Sequence, residues 1–385
     1  MSLTAEQQDL RDAVRGLLAR TGPPVDGRAD GRADGRADGR VDGRADRGSP
    51  WRRLCREVGV AGLAIPERYG GAGAGPAETG VVMEELGRDL TRSPMLGSAV
   101  LAAQALLATG DDAACARLLP AVAAGSATAA LAWTTRAGHW DSGEVACQAR
   151  PAAGGWELDG EAHYVLDGHT ADVLLVAARV AGQTGLFEVD PGQDGVVRTA
   201  SPAMDMTRRL AVVRLTGARG RRVGGDAAGA LDRARDLACL ALGAEQAGAA
   251  RRALDLTVGY TLTRVQFGQV LGGFQALRHR MADLHVLVES ARSLARAAGS
   301  AAGSAAGSAA GSGSGSGLQA AAVKVYCSDA LTRTAAEMIQ LHGAIGITWE
   351  HPAHRYLKRA HGARLLFGRP DRHAAAIAAS LLDQQ

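Results

Sequence analysis

The chain has 385 residues, 46% of them hydrophobic and only 12 of them proline, enough to bury a large core divided among two or three domains. Its 43 Lys and Arg nearly match its 40 Asp and Glu, and the resulting net charge of +3 gives no basic face for nucleic acid. Cys55, Cys115, Cys147, Cys239 and Cys327 are scattered without CxxC spacing, which argues against a disulfide framework or a metal site and for reduced thiols.

In chain order, MSLTAEQQDLRDAVRGLLAR opens an amphipathic helix with acidic residues rather than a signal peptide. No apolar run is long enough to span a bilayer, so no membrane partner and a cytoplasmic location are expected. The GRAD repeat over 25–50 has no apolar side chain larger than valine and predicts a flexible surface loop. Helical patterns follow: WRRLCREVGVAGLAI, AETGVVMEELGRDL and the Ala/Leu-rich stretch from Leu101 to Ala124. These form an N-terminal helical domain, 1–128.

From 129 to 224 the pattern changes. VLLVAARV, TGLFEVD and LAVVRLTG are short, β-branched and broken by Gly, Asp and Pro, which predicts a middle sheet or small barrel. The C-terminal domain, 225–385, is helical again, with a long pattern ending at Arg264, one around AAAVKVYCSDALTRTAAEMIQLHG and a last one from Arg372. Within it Phe267, Leu271, Phe274, Leu277, Met281 and Leu284 recur at three- and four-residue steps, the spacing of a core stripe on one helix. The Ala/Gly/Ser run over 297–317 predicts a mobile linker between two helices.

IPERYGGAG from Ile65, MEELGRDL from Met83, YTLTRVQFGQVLGGFQALRHRMADL and EMIQLHGAIGITWEHPAHRYLKRA stand in the order that they have in acyl-CoA dehydrogenases. The chain resembles that family over nearly its whole length outside the two low-complexity segments. The resemblance implies an α+β fold: N-terminal helical domain, middle β-sheet or barrel domain, C-terminal four-helix bundle. It also implies FAD as cofactor, an oligomer, and an acyl thioester, carried by coenzyme A or a carrier protein, as the molecule acted on.

In proteins of this kind the RxQFG arginine and phenylalanine and a following glutamine reach across a dimer interface to the neighbouring subunit's FAD; the matching residues are Arg264, Phe267 and Gln275. A guanidinium suits a pyrophosphate because it engages two oxygens at once. Gln340, His342 and Gly343 of QLHGAIG would complete that half of the site, with Gly343 also suited to the C′ position of a helix. The adjacent glycine usual in the family is Ala344 here. Phe274 is assigned to packing.

Around the flavin ring the resemblance weakens. Thr134 in AWTTRAGHWDSGE takes the flavin-facing threonine position, but Thr135 replaces the acidic neighbour, and YVLDG puts Tyr164 and Leu166 where the family has tryptophan and threonine. Trp133 and Tyr164 are both expected to be buried in packing. The chemistry needs a carboxylate to take the α-proton. Aligning KRAHGARLLFGRP places Phe367 at the usual glutamate, and the alternative helical position is Ala238. Glu245, two turns on and hence on the same helical face, is the nearest carboxylate and the one catalytic candidate.

Two readings follow. One makes the chain a subunit of a heteromeric α,β-dehydrogenase, supplying FAD-binding interface residues while a homologous chain brings the base. The other is a self-sufficient flavoenzyme, as a homo-oligomer, with Glu245 as displaced base or with a different flavin reaction.

Overall fold

The computed structural model describes residues 2–21, 50–306 and 314–382. The GRAD repeat lies outside the described residues except for its last position, Pro50, which starts a helix. The N-terminal helices are α1 (Ala5–Thr21), α2 (Pro50–Val58), α3 (Pro76–Arg88), a π-helical segment (Met95–Ala102), α4 (Ala103–Ala108) and α5 (Asp112–Ala123). The helix predicted to run through GVAGLAI stops at Val58, because Gly59 turns left-handed with φ +76°.

Seven strands follow: β1 (Ala129–Ala132), β2 (Cys147–Ala152), β3 (Gly155–Leu166), β4 (Val173–Val180), β5 (Gln183–Val189), β6 (Val196–Ser201) and β7 (Leu210–Val223). They close into a small barrel. Antiparallel pairs join β4 to β5, β5 to β7, β7 to β3 and β3 to β2, while β1 and β2 both run parallel to β4, pairing Ala129 with Val173 and Cys147 with Ala178. β6 adds to β7. Leu158, Ala162, Val176, Phe187 and Val213 fill the barrel interior.

The C-terminal helical domain is built on α6 (Ala228–Thr263), then α7 (Gln275–Ala306), α8 (Ser314–His342), α9 (Ala353–Leu365) and α10 (Pro370–Leu382). The stretch from Ala238 to Ala250 is buried on every side, as expected of a helix in the middle of a bundle. α6 meets α3 through paired glycines: a Cβ on Gly87 would lie 2.0 Å from the Glu245 carbonyl oxygen, and one on Gly248 1.9 Å from that of Glu84. Two side-chain-free positions let the backbones touch.

Two predicted features change here. The 297–317 segment is largely helical: α7 continues to Ala306 and α8 starts at Ser314, leaving 307–313 outside the described residues. Tertiary packing overrides the linker composition, since Ala298 is buried and Gly299 and Gly303 approach Pro76 and Ala77 at the start of α3. Nor is the Phe267–Leu284 stripe one helix. Val265–Gln266 (β8) and Gln269–Val270 (β9) form a two-stranded hairpin, and only the part from Gln275 onward is helical.

Candidate functional site

The segments aligned with a flavin ring and a base meet in the interior. β1 delivers Trp133 and Thr134; the end of β3, where the register with β7 shifts after Ala162, delivers Tyr164 and Leu166; the turn after α9 delivers Phe367. Thr134 is buried, and its hydroxyl donates to the His163 carbonyl at 2.7 Å while the His163 amide donates to the Thr134 carbonyl at 2.8 Å. Trp133 is 1% exposed, Trp140 5% and Phe367 0%. Their rings pack edge to face in sequence, with centroids 5.7 Å apart from Trp133 to Trp140 and 5.0 Å from Trp140 to Phe367. Leu166 and Ala238 belong to the same apolar cluster. Tyr164, by contrast, is not packed inside: at φ +55° it turns outward, exposed, and its hydroxyl donates to the Arg136 carbonyl at 3.1 Å.

Phe367 holds a strained left-handed conformation, φ +59°, followed by Gly368 at φ +100°. The turn is held from below. Lys324 on α8, fully buried, donates to the Ala363 and Arg364 carbonyls at 2.8 and 3.2 Å, where the C-terminus of α9 leaves oxygens unpaired, and His373 contacts the Phe367 carbonyl at 2.9 Å. Burial pulls the Lys324 ammonium down to about 8. Neither Lys324 nor Trp140 was marked by spacing or motif; an isolated lysine amid AAAVKVYCSDAL was the available signal for the first.

The other expected residues sit at an exposed edge. α6 ends at Thr263 and is capped by Arg264, whose backbone turns extended, and the β8–β9 hairpin closes through Phe267 at φ +52° and Gly268 at φ +79°, the two left-handed residues of a type I′ turn. Phe267 is 91% exposed and touches Phe274 edge to face at 6.3 Å. Gln275 and Gln340 are exposed. Gly343 follows the last residue of α8 at φ +62°. His342 is buried, stacked on Tyr260 of α6 at 4.4 Å and against His351 at 4.2 Å, so the two halves of the edge are in contact. Its Nδ1 meets the Met338 carbonyl at 2.7 Å, and its Nε2 is buried without a hydrogen-bond partner. Burial holds this imidazole below the usual histidine range. Thr134 is therefore separated from the rest of its predicted set: it lies within the barrel-side cluster, they at the edge of the bundle.

Residues 4–126 match the family model for the acyl-CoA dehydrogenase N-terminal domain, and residues 227–382 that for the acyl-CoA dehydrogenase C-terminal domain. The chain belongs to the acyl-CoA dehydrogenase family. It is 39% identical over 373 residues to the acyl-CoA dehydrogenase IpdE2 of Mycobacterium tuberculosis, covering 96% of this chain and 95% of that one. Among solved structures it is similar to a chain of the ChsE4-ChsE5 complex from Mycobacterium tuberculosis, with a TM-score of 0.84, 27% identity and coverage of 99% and 98%. A steroid ACAD variant, Tcur3481-Tcur3483, gives a TM-score of 0.82 at 28% identity, covering 98% of each chain.

Acyl-CoA dehydrogenases are flavoproteins, and the two regions of this family member suit a flavin dinucleotide unequally. The edge presents a cation, an aromatic face and two amides to solvent around a residue with no side chain, a fitting set for a pyrophosphate and adenosine. The interior strip offers Thr134 with its hydroxyl already donating, and rings in mutual contact.

Glu245 is neither solvated nor at an interface. Its Oε1 accepts from the Arg208 guanidinium at 2.6 Å and from Arg359 at 2.7 Å; Arg359 in turn donates to Thr207 Oγ1 at 2.9 Å and lies 3.2 Å from Asp205. All four charged residues are buried or nearly so. Burial pushes Arg208 down from its ordinary value; it opposes Arg359 too, but the Glu245 and Asp205 carboxylates more than offset it and raise that guanidinium. This network from MDMTRRL, α6 and α9 was not legible as a motif. The cavity it borders, with Leu96, Gly97, Leu166 and Asp167, measures about 10 Å³, room for roughly one water. Burial lifts the Asp167 carboxyl to about 6. Among the described residues no helix is long and apolar enough to cross a membrane.

Proposed function

We propose that this chain is one subunit of a heteromeric α,β-dehydrogenase of acyl thioesters, lending an FAD-binding edge to a homologous chain that carries the catalytic base. The observation that carries this reading is Phe367: at the position aligned with the base, the chain has a fully buried hydrocarbon ring, and Ala238, the alternative position, is buried in the same cluster. Neither takes a proton. Bound FAD would accept the β-hydrogen as hydride while the partner's carboxylate takes the α-proton. This chain's own part is binding: Arg264 would grip the pyrophosphate with two parallel hydrogen bonds, and Phe267, Gln275, Gln340, His342 and Gly343 would seat the adenosine side. Exposed Leu262, Val265, Phe267, Ile347 and Trp349 around that edge form an apolar surface suited to a second chain.

Glu245 as a displaced base fits less well. Two guanidiniums already hold its carboxylate, and a proton taken there would leave both arginines facing a neutral acid in the interior. Its role is to bind the β domain's MDMTRRL loop to α6 and α9. The similar ChsE4-ChsE5 structure is a complex of two differently named proteins, which supports a heteromer here, and the steroid named for another relative makes a bulky alicyclic acyl thioester the first substrate to try.

The test is purification of the chain alone and together with a homologous acyl-CoA dehydrogenase chain that carries the glutamate, reading the flavin spectrum, subunit ratio and thioester-dependent flavin reduction. Turnover is expected from the pair and not from the single chain. Rapid flavin reduction by the chain alone, abolished by Glu245→Gln, would sink the reading in favour of the displaced base.

A further inference from the structure

We infer that this chain has closed its own flavin-ring site with an aromatic plug, so that it takes part in holding a dinucleotide only from the outer edge. The inference rests on the same alignment of the flavin strips as the proposed function, and goes further by saying what replaced the ring. Three elements that should enclose an isoalloxazine, the segment after β1, the end of β3 and the turn after α9, do converge. What lies between them is Trp140, wedged edge to face between Trp133 and Phe367. A tricyclic ring needs a slot with polar groups facing its edge. Here the gap is filled by side chains that are each at most 5% exposed, and the one flavin-facing hydroxyl, that of Thr134, is spent on a backbone carbonyl.

The plug is also anchored on several sides. The loop bearing Trp140 is held by Trp133 Nε1 donating to the Asp141 carbonyl at 3.3 Å, Ser142 donating to Asp232 of α6 at 2.9 Å, Thr184 of β5 donating to the Ser142 carbonyl at 2.8 Å and Arg235 donating to the Trp140 carbonyl at 3.4 Å. Arg372 of α10 adds an ion pair with Asp141 at 3.3 Å. Admitting a ring would require breaking contacts to β5, α6 and α10 together and expelling two large side chains from a packed core, which close-packed interiors resist.

Riboflavin, which has the ring but not the adenosine or pyrophosphate, separates the two halves of the problem. Titrated into the intact chain, it should give no saturable quenching of tryptophan fluorescence. Trp140→Ala combined with Phe367→Ala opens an apolar slot of the kind that binds planar aromatic molecules, and should bind riboflavin at least about tenfold more tightly than the wild type. Saturable quenching in the wild type overturns the plug. Should the double variant fail to fold, the FAD content of the complex with the homologous chain decides: one FAD per pair of unlike chains supports the plug, one per chain overturns it. Loss of the edge assignment reads differently, since Arg264→Ala would then leave the flavin content of that complex unchanged whatever the riboflavin result.

Discussion

Two regions of this molecule that the resemblance assigns to opposite halves of a flavin site have gone opposite ways. At the edge of the bundle the chain keeps Phe267 in solvent at a positive φ, which is unfavourable for a free monomer, and leaves Gln275, Gln340 and Gly343 uncovered. Around Trp140 the rings of Trp133, Trp140 and Phe367 are buried against one another, and the Thr134 hydroxyl donates to a backbone carbonyl. The difference teaches that two segments matching one family's motifs can end in opposite settings, one closed by packing and one left open to solvent.

The largest expected effect tests whether the interior can be turned back. Phe367→Glu places a carboxylate beside Trp140 and Ala238, with no reacting geometry around it, so thioester-dependent flavin reduction by the isolated variant should stay at least about two orders of magnitude below that of the two-chain complex. Recovery to within a few-fold would mean that the interior is an intact site missing one group.

Next comes the buried ion network that joins the loop before β7 to α6 and α9. Glu245→Gln removes the carboxylate shared by Arg208 and Arg359 and should lower unfolding free energy by about 3–5 kcal/mol in denaturant titration, while leaving turnover of the complex nearly unchanged. Strong loss of turnover at unchanged stability would move Glu245 into the chemistry.

Lys324 beneath the Phe367 turn gives a pH test. Its folded-state value of about 8 lies below the ordinary 10.5, so its contribution is complete above pH 10.5 and is lost as pH falls through 8. The stability of Lys324→Met relative to wild type should therefore drop by up to about 3 kcal/mol between pH 8 and 10.5 and stay flat below pH 7. A flat difference across the alkaline range would place the ammonium in contact with water.

The smallest effect belongs to the edge. Arg264→Ala should weaken FAD retention by the complex at least about tenfold, the loss expected for a charge-assisted contact of about 1.5–3 kcal/mol, with no change in the melting of the isolated chain.

Much of this was legible in the sequence. β-branched runs between Gly and Pro gave the barrel, and four ordered motifs gave the family and its helical domains. What escaped has physical causes. The spacing of Phe267, Phe274 and Met281 suits a helix equally well, and only the Phe267-Gly268 pair, requiring left-handed backbone twice, betrays the hairpin. Polar small residues over 297–306 read as a linker because composition carries no record of Pro76 and Ala77, against which Gly299 and Gly303 pack. Glu245 shows in the sequence as a carboxylate within a helical pattern, but its partners come from a loop before β7 and from α9, beyond the reach of any local pattern. Trp140 carries no signal within AWTTRAGHWDSGE, since a tryptophan in a loop does not announce which neighbours it packs against.

The glycine pair at the α3–α6 crossing bears on how the molecule can move. With the backbone at Gly87 against Glu245 and that at Gly248 against Glu84, sliding either helix by one turn would drive a side chain into a carbonyl. Shear between the N-terminal helices and the bundle would therefore have to part the two backbones before it could slide them.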